Sequence, residues 1–260
     1  MAAVFLIGFV LSLIHLPARM REALAMSPLQ QHQLIDQPYN FAEMLIMAAA
    51  ILVSVFYCLD ALHGERRDRS ILFWKSLPVS DLTTVLSKAS VPILILPLVA
   101  FVITVVLKGI MLVLSSAVLQ ARGLSAATVW AHMPLLPMSG MLFYHLVVFH
   151  GLYYAPIYAW LLLVSAWARR LAFVWAALPL IAIGLVEKIA FNTRHFATLL
   201  QHRVDGGPTA PVLTSGAMSA HSSTLGLVGF LVSPGMLIGL AVAAAFLAAA
   251  VRVRRYQGPI

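Results

Sequence analysis

Six long apolar runs, separated by polar segments, constrain this chain more than any other feature. They are Ala2–Leu16, Phe41–Leu62, Ala89–Leu114, Leu142–Ala168, Leu171–Val186 and Thr224–Val251. Within a bilayer every backbone N–H and C=O must bond inside the protein, so apolar runs of about 20 residues cross it as helices. Only 10% of the residues are charged, against about 25% in soluble domains. We therefore predict an all-α membrane protein with six transmembrane helices in a single transmembrane domain, residues 1–260.

The basic residues predict how these helices are oriented, because Lys and Arg are concentrated in cytoplasmic segments. If both termini are cytoplasmic, the larger basic set is internal: Arg66, Arg67, Arg69, Lys75, Lys88, Arg169, Arg170, Arg252, Arg254 and Arg255. The smaller set is then external: Arg19, Arg21, Arg122, Lys188, Arg194 and Arg203. This distribution accounts for the net charge of +8 without a nucleic-acid partner.

The segment Glu65–Lys88, hereafter the coupling segment, holds eight of the chain's 26 charged residues and lies between two apolar runs. Its sequence is ERRDRSILFWKSLPVSDLTTVLSK. Pro78 disfavours helical geometry at Leu77, so a short amphipathic helix should end there. Ser80 or Asp81 can cap a second helix that leads into the third apolar run. The pattern predicts a surface helix on the cytoplasmic side.

This segment resembles the cytoplasmic loop of ABC-2 type transporter permeases. The residues that carry the resemblance are Glu65, Arg69, Leu72, Leu77, Pro78, Val79, Ser80 and Lys88. The resemblance implies a dimeric exporter subunit in a bacterial inner membrane, with a coupling helix between the second and third spans. It also implies external re-entrant or interfacial helices between the fifth and sixth spans. The start of the chain departs from the family, whose members usually place an amphipathic elbow helix before the first span.

No G-x-x-x-x-G-K-[ST] phosphate-binding motif occurs in the chain, so ATP hydrolysis would need a separate subunit. The resemblance implies two such ATPase subunits, which carry ATP and Mg²⁺, and no cofactor in this chain. We expect them to dock on Glu65, Arg66, Arg67, Arg69, Phe73, Trp74, Leu77, Pro78, Ser80 and Asp81. Aromatic side chains commonly anchor such contacts, and arginines pair with acidic groups or lipid phosphates around them.

Two further polar sets are candidates for a translocation path or an outer gate. Glu187 and Lys188 close the fifth apolar run, and they either gate the path or form an ordinary polar helix end. His150 and Tyr154 share one face of the fourth run at i,i+4 spacing. They would line the path, bind a haem or quinone, or bond between helices. A haem- or quinone-binding subunit is therefore an alternative function, as is a non-transporting scaffold or immunity subunit.

Three local patterns give further expectations. The polar stretch 17–40 contains Pro28 and Pro38 and should form an external loop. Lys108 lies within the third run and should extend to the membrane surface. Gly235 and Gly239, at four-residue spacing and followed by Ala243, should allow close approach of another helix. We found no arrangement of carboxylates suited to acid–base catalysis, so the sequence does not indicate an enzyme.

Overall fold

A computed structural model describes residues 2–24, 27–132, 135–205 and 231–258, and every regular element in these ranges is helical. The α-helices are α1 Ala2–Ser12, α2 Leu16–Leu24, α3 Pro28–Ala61, α4 His63–Arg67, α5 Ser70–Ser76, α6 Asp81–Ser90, α7 Leu96–Ala121, α8 Ala127–His132, α9 Leu135–Tyr144, α10 Ala155–Trp167, α11 Ala172–Phe191, α12 His195–Asp205 and α13 Pro234–Tyr256. Two π-helical segments, Val91–Ile95 and His145–Tyr153, adjoin α7 and α10. The all-α prediction is confirmed for these ranges.

Four stretches of the described chain are long and apolar enough to cross a membrane. They are Ile35–Arg67, Asp81–Ala121, Ala172–Phe191 and Pro234–Tyr256. A fifth candidate combines Met138–Tyr153 with Ala155–Trp167, which meet at a bend of 45°. The first apolar run forms an α-helix of only 11 residues, shorter than the roughly 20 that a span needs. The described residues therefore give four or five membrane-length helices.

The expected external loop at residues 17–40 is wrong. Helix α2 occupies its first part, and the 34-residue helix α3 begins at Pro28 and continues through Pro38. Proline fits the first helical position because the N–H there has no intrahelical partner. A proline in a helix interior removes one backbone hydrogen bond. The residues on either side of Pro38 keep the remaining backbone hydrogen bonds of this long helix. These two prolines therefore mark a helix start and an interior position rather than a loop.

The described residues divide into two compact units, each formed from separated ranges. Unit 1 comprises the described residues within 1–51 and 98–146. Unit 2 comprises those within 52–97, 147–210 and 227–260. The core of unit 1 contains Phe9, Met111, Leu112 and Leu146. In unit 2, α10 packs along α13 through the small residues Ala155, Ala159 and Ala243, which allow two helices to approach closely.

The first π-helical segment contacts the second within unit 2. Pro97 has no N–H to bond the carbonyl of Ile93, and the helix widens here, with Leu96 N–H donating to the Val91 carbonyl. A Cβ placed on Gly151 would lie 2.3 Å from the Ile93 carbonyl oxygen. Glycine is therefore the residue that allows position 151 to lie this close to the Ile93 carbonyl. Such π-helical insertions are frequent at functional positions in membrane and soluble helices alike.

Candidate functional site

The coupling segment forms a helix–turn–helix surface in unit 2. Helix α5 ends at Ser76, and Leu77 is extended with φ −82° and ψ 151°. Ser80 then caps α6 by accepting a hydrogen bond from the Thr83 N–H at 3.1 Å. The predicted helix end before Pro78 and the predicted cap at Ser80 are therefore confirmed. The turn fixes the direction in which the chain enters the third apolar run.

Helix α5 exposes three of its four apolar side chains. Ile71 is buried, whereas Phe73 and Trp74 are 62% and 41% exposed. Their rings contact each other edge to face, with centroids 5.7 Å apart. Leu72 is also exposed, and Leu77 is half-buried. The result is a continuous apolar surface on a short helix, which a protein groove or a lipid surface can cover.

Four charged side chains hold the coupling segment to the last helix. Arg254 on α13 is 4% exposed and donates to the carboxylates of Glu65 and Asp81, with an Nε–Oδ1 distance of 3.1 Å to Asp81. Lys88 Nζ lies 2.9 Å from the second oxygen of Glu65. This ion-pair network therefore joins α4, α6 and α13. Glu65 and Asp81, which we expected at the docking surface, contribute their charges to this internal contact.

Arg66 is also engaged within unit 2. Its guanidinium donates to the carbonyls of Ala166 at 2.7 Å and Ala168 at 3.2 Å, at the end of α10. These carbonyls have no partner within the helix because α10 ends here. Arg67 and Arg69 remain exposed on the surface of the segment. Of the three predicted docking arginines, Arg67 and Arg69 are thus the two that a partner can reach directly.

The residues after α13 lie against the same segment. Lys75 on α5 donates to the Gln257 carbonyl at 2.9 Å. Arg66 Nε donates to the Gly258 carbonyl at 3.3 Å. The chain beyond the last helix therefore lies beside the exposed aromatic helix.

The predicted pair on the fourth run is brought together and is hydrogen-bonded inside unit 2. The rings of His150 and Tyr154 contact at 5.7 Å. His150 Nε2 lies 3.3 Å from the Tyr158 hydroxyl, and the Tyr154 hydroxyl donates to the Val204 carbonyl at 2.6 Å. Within the described ranges, no group of three His, Cys, Asp or Glu side chains is arranged to hold a metal ion.

Glu187 holds the start of helix α12. Its carboxylate accepts hydrogen bonds from the N–H groups of His195 at 2.7 Å and Phe196 at 2.8 Å, and from the Thr193 hydroxyl at 2.9 Å. A carboxylate at this end also interacts favourably with the helix dipole. Lys188 is exposed. Of the two interpretations that the sequence left open for Glu187, a gate or a polar helix end, these hydrogen bonds match the polar helix end, and the gate stays a prediction.

The other end of α12 is held by Arg203, which the sequence did not single out. Its guanidinium lies 4.1 Å from the centre of the Tyr153 ring and donates to the Gly235 carbonyl at 3.0 Å. A Cβ on Gly239 would lie 1.7 Å from Arg203 Nη2. Burial lowers the pKa of this guanidinium, which still carries its charge at neutral pH.

The Gly235–Gly239 spacing was the signal for this contact, although it indicated a different partner. Ala243, the third small residue of this pattern, packs against α10 as expected, whereas the surface at Gly235 and Gly239 receives the Arg203 side chain. Tyr153 completes the contact by donating its hydroxyl to the His202 carbonyl at 3.0 Å. The two ends of α12 are therefore attached to α11, to the second π-helical segment and to α13.

Lys108 does not extend to the membrane surface as expected. It is 5% exposed and pairs with Glu43, which is 9% exposed. Both residues belong to unit 1, on α7 and α3. The long stem of a lysine makes snorkelling possible at a helix end, but a carboxylate on a neighbouring helix provides a closer partner.

Comparison with known proteins found no family model, no curated protein and no solved structure that matches this chain.

Proposed function

We propose that this chain is the permease subunit of an ATP-driven exporter of the ABC-2 type. In this proposal two copies form the translocation path, and separate ATPase subunits dock on the coupling segment. The observation that carries the proposal is helix α5, which exposes Phe73 and Trp74 between two membrane-length stretches. An apolar helix face presented next to a basic segment suits a groove on a cytosolic protein.

The ion-pair network gives this docking surface a mechanical connection to the membrane helices. Arg254 ties Glu65 and Asp81 to α13, while the Ser80 cap leads into α6 and the third apolar run. A displacement of α5 by an ATPase would therefore move two membrane helices together. Buried charge networks have discrete arrangements and resist gradual deformation, which suits a change between inward- and outward-open states.

The proposal also includes the full topology: six spans, both termini cytoplasmic, in a bacterial inner membrane. The basic residues of the coupling segment and of the end of α13 would then lie on the same side. In a Cys58→Ala background, a single cysteine at Arg194 should react with an impermeant thiol reagent added to intact cells. A cysteine at Asp68 should react only after lysis. The opposite labelling pattern would overturn this topology.

Docking is tested by co-purification with a candidate ATPase, encoded beside this chain and carrying a phosphate-binding loop. The Phe73, Trp74 and Leu77 triple alanine variant should lose most of the bound ATPase, because removal of such anchors costs about 2 kcal/mol or more each. The matched control replaces Leu185, Ile189 and Phe191, which are exposed apolar residues of α11. Equal ATPase recovery with both triple variants would remove the coupling segment from the proposal.

A further inference from the structure

Three arginines of unit 2 meet where helix α10 ends. Arg169 and Arg170 lie in the turn of residues 168–171, which joins α10 to α11, and both are exposed. Arg66, from the coupling segment, is 6% exposed and donates to two carbonyls beside this turn. Arg169 lies within electrostatic range of Arg66, so like charges act on each other here.

The carboxylates of the coupling segment do not compensate these three cations. Glu65 pairs with Lys88 and Arg254, and Asp68 pairs with Arg67. Among the described residues, Arg66, Arg169 and Arg170 form no ion pair with a carboxylate. The positive charge of the turn is therefore available to an anion that comes from outside the chain.

Two tryptophans indicate where the turn lies relative to a membrane. Trp167 is the last residue of α10, and Trp175 lies in the first turn of α11. Their rings contact edge to face with centroids 5.0 Å apart, and Trp175 is 42% exposed. Tryptophan is enriched where lipid acyl chains meet the headgroups. The pair thus places residues 168–171 at the level of the headgroups.

An exposed apolar surface begins directly beside the arginines. Leu171 and Phe173 are 72% and 66% exposed, and Leu178 further along α11 is 50% exposed. Helix α11 is long and apolar enough to cross a membrane, and most of it is exposed. A soluble phosphate would cover only the arginines. A ligand that covers both surfaces must join an anionic group to apolar chains.

We propose that the turn of residues 168–171 binds an anionic phospholipid. The lipid phosphate accepts hydrogen bonds from the guanidinium groups of Arg169 and Arg170, which match the geometry of phosphate oxygens. The acyl chains lie along the exposed apolar side chains of α11. The bound phosphate also offsets the charge of Arg66, whose hydrogen bonds join the coupling segment to the end of α10. Lipid binding therefore stabilises this contact.

The test is native mass spectrometry of the purified chain in detergent, with equal amounts of phosphatidylglycerol and phosphatidylcholine that carry the same acyl chains. The natural chain should retain phosphatidylglycerol preferentially. The Arg169→Gln, Arg170→Gln double variant should bind it about 30-fold more weakly, which corresponds to about 1 kcal/mol for each cation. Its affinity for phosphatidylcholine should not change. The Arg169→Lys, Arg170→Lys variant keeps both charges and should keep the preference.

The matched control is the Arg252→Gln, Arg255→Gln double variant. It removes the same charge from two exposed positions of α13 and should leave the preference unchanged. Equal losses in the two glutamine variants would reveal general attraction to a basic protein and overturn the proposal. Equal retention of both lipids by the natural chain would also overturn it.

A competition experiment distinguishes the lipid from a soluble phosphate. Glycerol phosphate at the concentration of the lipid should not displace phosphatidylglycerol, because it lacks the acyl chains that lie on α11. Displacement would assign the turn to a soluble phosphate and reject the lipid. None of these measurements needs an ATPase, so their outcome is independent of the proposed export function.

Discussion

Two buried ion-pair sites in the described part of the chain differ in how their charges are balanced. In unit 2, Arg254 bonds two carboxylates and Lys88 shares one of them, so four groups from three helices compensate one another. In unit 1, the ion pair joins a single carboxylate, Glu43, to a single cation, Lys108. A network with several partners keeps its charges when one contact weakens, whereas an isolated pair loses all compensation at once. The comparison indicates a connector of three helices in unit 2 and a contact between two helices in unit 1.

The largest expected effect is that of Arg254→Ala on the connector. This change leaves Glu65 with Lys88 as its remaining cation, and it removes the cation that pairs with Asp81. Breaking a buried pair in this way should lower the free energy of unfolding by about 3–5 kcal/mol. Arg255→Ala is the matched control on the same helix; Arg255 is exposed, so the loss should stay within about 0.5 kcal/mol. Denaturant unfolding of the purified protein measures both, and equal losses would contradict the structural role.

A smaller loss is expected when the isolated pair is broken by Lys108→Met. One carboxylate, that of Glu43, then loses its cation, whereas Arg254→Ala affects two carboxylates, so the cost should be smaller, about 1–3 kcal/mol. Adding Glu43→Gln to this variant removes the remaining charge and should return the unfolding free energy to the natural value or above it. If the double variant is less stable than Lys108→Met alone, the pair is a structural contact of the same kind as the connector.

Arg203 provides a third case, in which a cation is held by a ring and a carbonyl. Gly239→Ala should displace its guanidinium, because the new Cβ would overlap Nη2. The lost contacts amount to about 1–2 kcal/mol, confined to the attachment of α12. Amide hydrogen exchange in His195–Asp205 should accelerate. Gly235→Ala is the control, since a Cβ there has nothing within 4 Å, and it should leave the exchange unchanged.

The smallest effect expected is that of Ser80→Ala on the coupling segment. The Ser80 hydroxyl caps α6, and loss of such a cap costs about 1 kcal/mol. Faster exchange of the first amides of α6 would report it, while α5 should be unaffected. Ser87→Ala, an exposed position in the same helix, serves as the control. Equal exchange in both variants would show that the ion pairs alone hold the segment.

Local features of the chain were predictable because they depend on neighbouring residues. Pro78 and Ser80 determine where one helix ends and the next begins, and both effects act within a few residues. The ion pairs were not predictable, since Glu43 and Lys108 are 65 residues apart and Glu65 and Arg254 are 189 apart. Helical periodicity relates residues only a few positions apart, so it does not predict pairs at such distances in the sequence.

The misjudged residues share one physical cause. We judged Pro38, Lys108 and Gly239 from their general preferences for loops, membrane surfaces and helix contacts. In each case a particular partner decided the outcome: the long helix around Pro38, the carboxylate of Glu43, and the guanidinium of Arg203. Residues with two acceptable environments are thus the ones for which sequence patterns give the least reliable predictions.

The contact between Gly151 and the Ile93 carbonyl restricts how this chain can diverge. A side chain at position 151 would collide with a backbone oxygen, which cannot move while Pro97 keeps that part of the helix widened. A larger residue at 151 is therefore tolerable only together with loss of the proline. Homologous chains should vary at positions 97 and 151 jointly, and library selection with both codons randomised should recover correlated pairs.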